Sequence, residues 1–181
     1  MTTSLSESPA LSRRGLLKIS LLGSAFLATA GLGASLSGCS ASTPANGFAI
    51  LRANDLPFLR ALIPVLLAGS LAAEQLPAAI DGTLRSLDAN LDRLSPEMLA
   101  LTRQLFDVLG MAVTRGPLTG IWGSWENASA ESIQAFLHRW ENSWLGLLRM
   151  GHSSLMQLVM MAWYTQADAW GHCGYPGPPS I

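Results

Sequence analysis

The chain has 181 residues, 49% hydrophobic and 13% charged, a length and balance that fit one globular domain and exclude disorder of the whole chain. A formal net charge of -1 leaves no basic surplus to neutralise phosphates, so nucleic acid is not an expected partner. Two cysteines and three histidines are too few for a disulfide scaffold or a Cys-rich metal site.

The single lysine, Lys18, lies with Arg13 and Arg14 ahead of an apolar, Gly/Ala/Ser-rich run from Ile19 to about Gly38. A polar start, paired arginines, an apolar middle and small residues ahead of Cys39 follow the plan of a removable export signal over 1–38. Ser12-Arg13-Arg14-Gly15-Leu16-Leu17-Lys18 resembles the twin-arginine signal, read by the twin-arginine (Tat) translocase, a route that carries folded cargo. Arg13 and Arg14 are then the targeting residues. Leu36-Ser37-Gly38-Cys39 resembles the bacterial lipoprotein box, in which the cysteine is lipidated and becomes the new N-terminus. On that resemblance Cys39 carries a lipid anchor and the protein is a periplasmic lipoprotein held at the membrane. Two other readings stand beside it: cleavage nearby by an ordinary signal peptidase, and an uncleaved membrane span, which the glycines and serines of the run make mediocre.

From Cys39 onward there are eight arginines, no lysine and eleven acids, a basic set suited to planar, bidentate pairing. Residues 39–53, opening on a Ser/Pro/Asn/Gly stretch, read as a linker, and 54–181 as the folded domain. Asn54 or Asp55 is placed to cap a helix running to about Ala68, apolar nearly all round and therefore central, with Pro57 in its first turn and Pro64 kinking its interior. Ile80, Leu84, Leu87, Leu91 and Leu94 then recur at helical spacing, with Asp81, Arg85, Asp88 and Asp92 on other, solvated faces. Ser95-Pro96-Glu97 opens a helix with Met98, Leu101, Leu105, Leu109 and Ala112 on one face, which Gly116-Pro117 stops. After a loop holding Trp122, Gly123 and Trp125, Ser129 caps a helix with Ile133, Phe136, Leu137, Trp140 and Trp144 on one side. A last helix, from about Gly146 or His152 to Tyr164, buries Leu155, Leu158, Val159 and Ala162. No segment alternates with period two. The expected fold is all-α, a compact bundle of about five helices followed by an extended Gly/Pro/aromatic C-terminal tail.

All six tryptophans lie after residue 121, and the chain closes on Trp163-Tyr164, Trp170 and Gly171-His172-Cys173-Gly174-Tyr175-Pro176-Gly177-Pro178-Pro179. Such a tail packs its aromatics either onto its own bundle or into a protein interface, where Trp, Tyr and Arg concentrate binding energy. The candidate interface residues are Trp163, Tyr164, Trp170, Cys173, Tyr175 and Pro176.

The same residues carry a family resemblance. Trp163-Tyr164, Trp170 and Gly174-Tyr175-Pro176-Gly177-Pro178-Pro179 resemble the C-terminal signature of the gluconate 2-dehydrogenase subunit 3 (small-subunit) family. The family also has a leading twin-arginine signal and an early apolar helix like Leu56 to Leu67. Thr119-Gly120, Trp122-Gly123, Phe136-Leu137 and Trp140 look like a region fused to the N-terminus of some such oxidoreductases. The resemblance implies a helical accessory subunit of a periplasmic, membrane-associated dehydrogenase. Its large subunit is an FAD-containing protein of the glucose-methanol-choline (GMC) type, often with a cytochrome c as electron acceptor. The small subunit lends its signal to a flavoprotein that must bind FAD before export. The lipoprotein box departs from that pattern. A Cys173 disulfide to the large subunit is a further expectation of this arrangement, because an odd cysteine in an oxidising compartment is buried, paired or a liability.

The residues give no constellation for catalysis, cofactor binding or metal binding by the chain itself. His172 and Cys173 are neighbours whose side chains point apart in an extended segment. His138 and His152 lack a ligand partner at helical spacing, Asp88 and Asp92 more often make a solvated face than a cation site, and no Gly-rich phosphate loop follows a strand. The alternative to an accessory subunit is a free-standing periplasmic lipoprotein that binds a small apolar ligand between its helices.

Overall fold

The computed structural model describes residues 43–177; the expected export signal with Arg13 and Arg14, Cys39 with its expected lipid, and the last four residues lie outside them. Seven α-helices follow one another among the described residues: α1 (Leu56–Leu66), α2 (Leu76–Leu91), α3 (Pro96–Gly110), α4 (Ala112–Thr119), α5 (Ala130–Glu141), α6 (Gly146–Tyr164) and α7 (Ala167–Cys173). Single 3-10 turns occupy Ala73–Gln75 and Trp125–Asn127, and one antiparallel bridge, Pro44 to Arg52, is the sole β-pairing described. The chain is all-α, as the spacing of its apolar residues predicts. The two helices beyond the expected five are α4 and α7, both short and both carrying residues that argue against helix.

α1 is central. It buries Phe58, Leu59, Leu62 and Ile63 and meets α2, α3, α5 and the Trp125 turn. The helix ends at Leu66, two residues after Pro64, which has no N–H to give the Arg60 carbonyl. In α2 the predicted stripe holds, with Leu84, Leu87 and Leu91 buried and Ile80 half-buried along α6. Ser95 and Ser129 cap α3 and α5 as expected, each hydroxyl accepting the N–H three residues on, from Met98 and Ser132 at 3.3 Å. The Glu97 and Glu131 carboxyls are held below the ordinary value by their own backbone N–H and then by the Ser95 and Ser129 hydroxyls.

Three expectations in this stretch are overturned. α3 turns Thr102, Phe106 and Leu109 inward and leaves Met98 and Leu101 exposed, because Phe106 packs edge-on against Phe58 at 5.1 Å. Gly116-Pro117 does not end the helix. The break comes earlier, at Met111, whose ψ of 130° is extended, and a new helix runs through both residues to a left-handed Gly120. Side chains replace the lost helical donors: Trp125 Nε1 donates to the Leu109 carbonyl and the Thr114 hydroxyl to the Val108 carbonyl, each at 2.8 Å. Trp125 is thereby fixed between Phe58 and Phe136, both 6.1 Å away. α5 stops at Glu141, so Trp144 does not share its buried face and is instead 87% exposed.

The segment 43–53, expected as linker, is folded onto the bundle, and the compact unit begins at Thr43. Leu51 is buried in the core. Asp88, expected on a solvated face, is also buried, and its carboxylate accepts the backbone N–H groups of Ala49, Ile50 and Leu51 at 2.8–2.9 Å. Asp55 does not cap α1 with its side chain. Its carboxylate takes the Arg52 N–H at 2.8 Å and the guanidinium in a two-point pair at 3.0 and 2.9 Å, while the guanidinium also reaches Asp107 at 2.7 Å. Burial alone lowers the pKa of Arg52, but the hydrogen bonds and attraction of Asp55 and then Asp107 outweigh it and hold the group firmly charged.

Candidate functional site

The C-terminal aromatic residues occupy the end of α6, the turn after it and α7. α6 gives out at Tyr164 because Gln166 is extended, with φ -93° and ψ 139°, and starts α7. The Gln166 amide anchors that turn to α2 by donating to the Thr83 hydroxyl at 3.0 Å, lying over Gly82 where a Cβ would collide with it. α7 returns the chain toward α6. Ala169 is fully buried, and Trp170 Nε1 donates to the Tyr164 carbonyl at 3.1 Å.

The helix then stops in a Schellman motif, in which a left-handed residue lets two backbone N–H groups turn back onto the last turn. Gly174, at φ +71°, is that residue; its N–H points to Gly171 O and the Tyr175 N–H donates to Trp170 O at 3.0 Å. The apolar contact that accompanies the motif is the Trp170–Tyr175 pair, edge to face at 5.4 Å. Gly177 lies against the same indole. Trp170 to Cys173 is thus helix, where an extended strap was expected, and the glycine that argued against helix is the residue that ends it.

The structure gathers five of the six candidate interface residues around Trp170 and its helix cap. Tyr164, Cys173, Tyr175 and Pro176 are exposed and Trp170 is half-buried beneath Tyr175. Trp163 is the exception. At 1% exposure it belongs to the core and offers nothing to a partner directly. The Cys173 thiol lies 3.4 Å from the Trp170 carbonyl, on the surface and free.

Of the residues weighed for chemistry, Asp88 serves the backbone of the entry segment, while Asp92 and His138 are exposed and His152 is half-buried. Among the described residues no three His, Cys, Asp or Glu side chains converge on one point. A separate open groove of about 460 Å³ runs between α1 and the Trp125 turn, floored by Ala61, Pro64, Ala128 and Ile133 and flanked by Arg60 and Glu126. Its neighbour, about 130 Å³ between Asn54 and Met111, is smaller.

Sequence reasoning missed the outward side of α6. Leu147, Met150 and Met161 point away from the core and are exposed, and the signal for it was available: a helix of 19 residues with Arg149 as its one formal charge. No family model, curated protein or solved structure matches the chain.

Proposed function

We propose that this chain is a non-catalytic small subunit of a periplasmic, FAD-dependent dehydrogenase of the GMC type, escorting the folded flavoprotein through twin-arginine export and anchoring it through lipid on Cys39. In this reading FAD belongs to the large subunit, this chain binds no cofactor of its own, and a cytochrome c accepts electrons from the assembly. The supporting observation is the C-terminal signature: Tyr164, Trp170, Cys173, Tyr175 and Pro176 form one aromatic, solvent-facing surface. Tyr and Trp present large rigid area at small entropic cost, which suits a fixed subunit contact. Cys173 is exposed and free, which supports the disulfide to the large subunit in this reading.

Replacing Arg13 and Arg14 together by lysine tests the escort. The expected outcome is that this chain and the FAD-dependent dehydrogenase activity both stay in the cytoplasm, whereas in the parent a yellow, flavin-containing large chain copurifies from the periplasmic fraction and runs joined to this one on non-reducing gels. Unchanged periplasmic activity in the double variant overturns the reading. The lipoprotein alternative is favoured by one observation, the α1 groove, whose volume falls in the range of small-molecule sites; it predicts a lone chain whose thermal midpoint rises with an apolar ligand.

A further inference from the structure

A solvent-facing helix face ordinarily carries charge, and one exposed stripe of α6 carries none. At about 100° per residue, Leu147, Met150, Ser154, Gln157, Met161 and Tyr164 fall within an arc of about 100°, opposite the buried Leu155, Val159 and Ala162. All six are exposed, Leu147 at 74%, Met150 at 63%, Met161 at 57% and Tyr164 at 44%. Arg149 lies off this stripe and its guanidinium donates to the Ser143 carbonyl. The stripe is about 26 Å long, apolar at both ends and polar but uncharged at its middle.

Its spacing, 3-4-3-4-3, reads the same in both directions, and so does its chemistry. An isologous contact requires that if one residue touches a second, the second touches the first in the other copy. An antiparallel copy of α6, turned about a two-fold axis between Leu155 and Met156, sets Leu147 opposite Tyr164 of the second copy and Met150 opposite Met161. At the axis Ser154 meets Gln157, a hydroxyl against an amide with matching donors and acceptors. Any charge near such an axis meets its own like, so a charge-free face is what self-pairing requires. The composition also suits an interface core: Met and Tyr present, charged residues absent, thioethers able to adjust. The spacing is that of a seam between helices crossing at about +20°.

We infer that α6 is a self-association surface, on which a second copy of this chain packs antiparallel with Met150 against Met161 and Ser154 against Gln157. This goes beyond the subunit reading and does not rest on it: of the residues offered to the large subunit only Tyr164 enters this seam, Trp170, Cys173, Tyr175 and Pro176 stay outside it, and loss of the dimer leaves each small subunit with its flavoprotein.

The test is the mass of the purified full chain by light scattering, in Met150→Glu, Met161→Lys and the double variant. The parent should have twice the mass of its single chain, which is 19.2 kDa when all 181 residues are kept. Each single variant should weaken dimerisation about tenfold or more. Carrying both in one chain sets the introduced carboxylate of one copy against the introduced ammonium of the other, twice across an antiparallel axis, so the dimer should return at low salt and be lost at about 0.5 M. A parallel pair would instead oppose like charges and stay monomeric. As a check independent of those variants, Ser154→Cys with Gln157→Cys, both native cysteines replaced by serine, should oxidise to a band of doubled mass. A monomeric parent at about 100 µM, a dimer indifferent to all these changes, or an α6 face that instead floats with anionic lipid vesicles and loses that binding in Met150→Glu overturns the inference.

Discussion

Two segments outside the central bundle are held to it by opposite means. At the start, residues 43–55 are fixed by charge: three backbone N–H groups converge on the buried Asp88 carboxylate, and Arg52 is gripped by Asp55 and Asp107. At the end, residues 166–177 are held by one amide–hydroxyl bond to α2, the Trp170 indole N–H on the Tyr164 carbonyl, a buried Ala169 and an aromatic pair on a helix cap. The first arrangement is cooperative, because removing one partner leaves buried donors or a buried charge with nothing to replace water. The second is a sum of small local terms, so it can be altered piece by piece, a property suited to a surface that meets another protein.

The largest effect that would break this contrast is expected at the N-terminal segment. Asp88→Ala orphans one buried N–H and two partly buried ones, and should cost about 3 kcal/mol, seen as a lowered denaturation midpoint together with rapid amide exchange at Ala49, Ile50 and Leu51. A loss confined to those amides, with no change in global stability, would show that the entry segment is not part of the core. Tyr175→Ala, which removes the edge-to-face partner of Trp170, should cost only about 1 kcal/mol and leave the α2–α6 core untouched, while exposing the indole to collisional quenchers. The smallest effect concerns the exposed caps of α3 and α5. Because the Glu97 and Glu131 carboxyls sit below the ordinary 4.5, their contribution is present above that pH and is lost as pH falls through the lowered values. Helicity should decline slightly below pH 4.5, and Ser95→Ala with Ser129→Ala should flatten that decline.

What is legible in the sequence follows the same division. Local signals read correctly where one residue decides the outcome, as with the Ser95 and Ser129 caps and the 4-3-4-3 stripe of α2. Signals that depend on a distant partner mislead. Asp88 looks like a surface acid until the entry segment delivers three donors 37 to 39 residues away in sequence. Pro117 looks like a stop until Trp125 and Thr114 take over the carbonyls that α3 gives up at Met111. Of the candidate interface, Cys173, Tyr175 and Pro176 lie on the surface among Gly and Pro residues, whereas Trp163 and Tyr164 share a helix whose buried side, set by contacts with α2 and α5, takes the first and leaves the second outside. The outward side of α6 is readable from its missing charges, yet the eye follows the buried stripe first.

The Asp88 anchorage has a mechanical meaning for a chain whose proposed role is to be pulled and tethered from its leader. Tension applied at Thr43 first meets the antiparallel bridge of Pro44 to Arg52, where the Ala45 N–H donates to the Leu51 carbonyl at 2.7 Å, and then three neighbouring hydrogen bonds that converge on one carboxylate, which share the load instead of opening in turn. Beyond them the Arg52 guanidinium, bonded to Asp55 and Asp107, ties the same segment to α3 before any force reaches the first turn of α1. The bundle is therefore loaded at the last turn of α2 and at α3, through its core, and α1 is shielded from being unwound from its end.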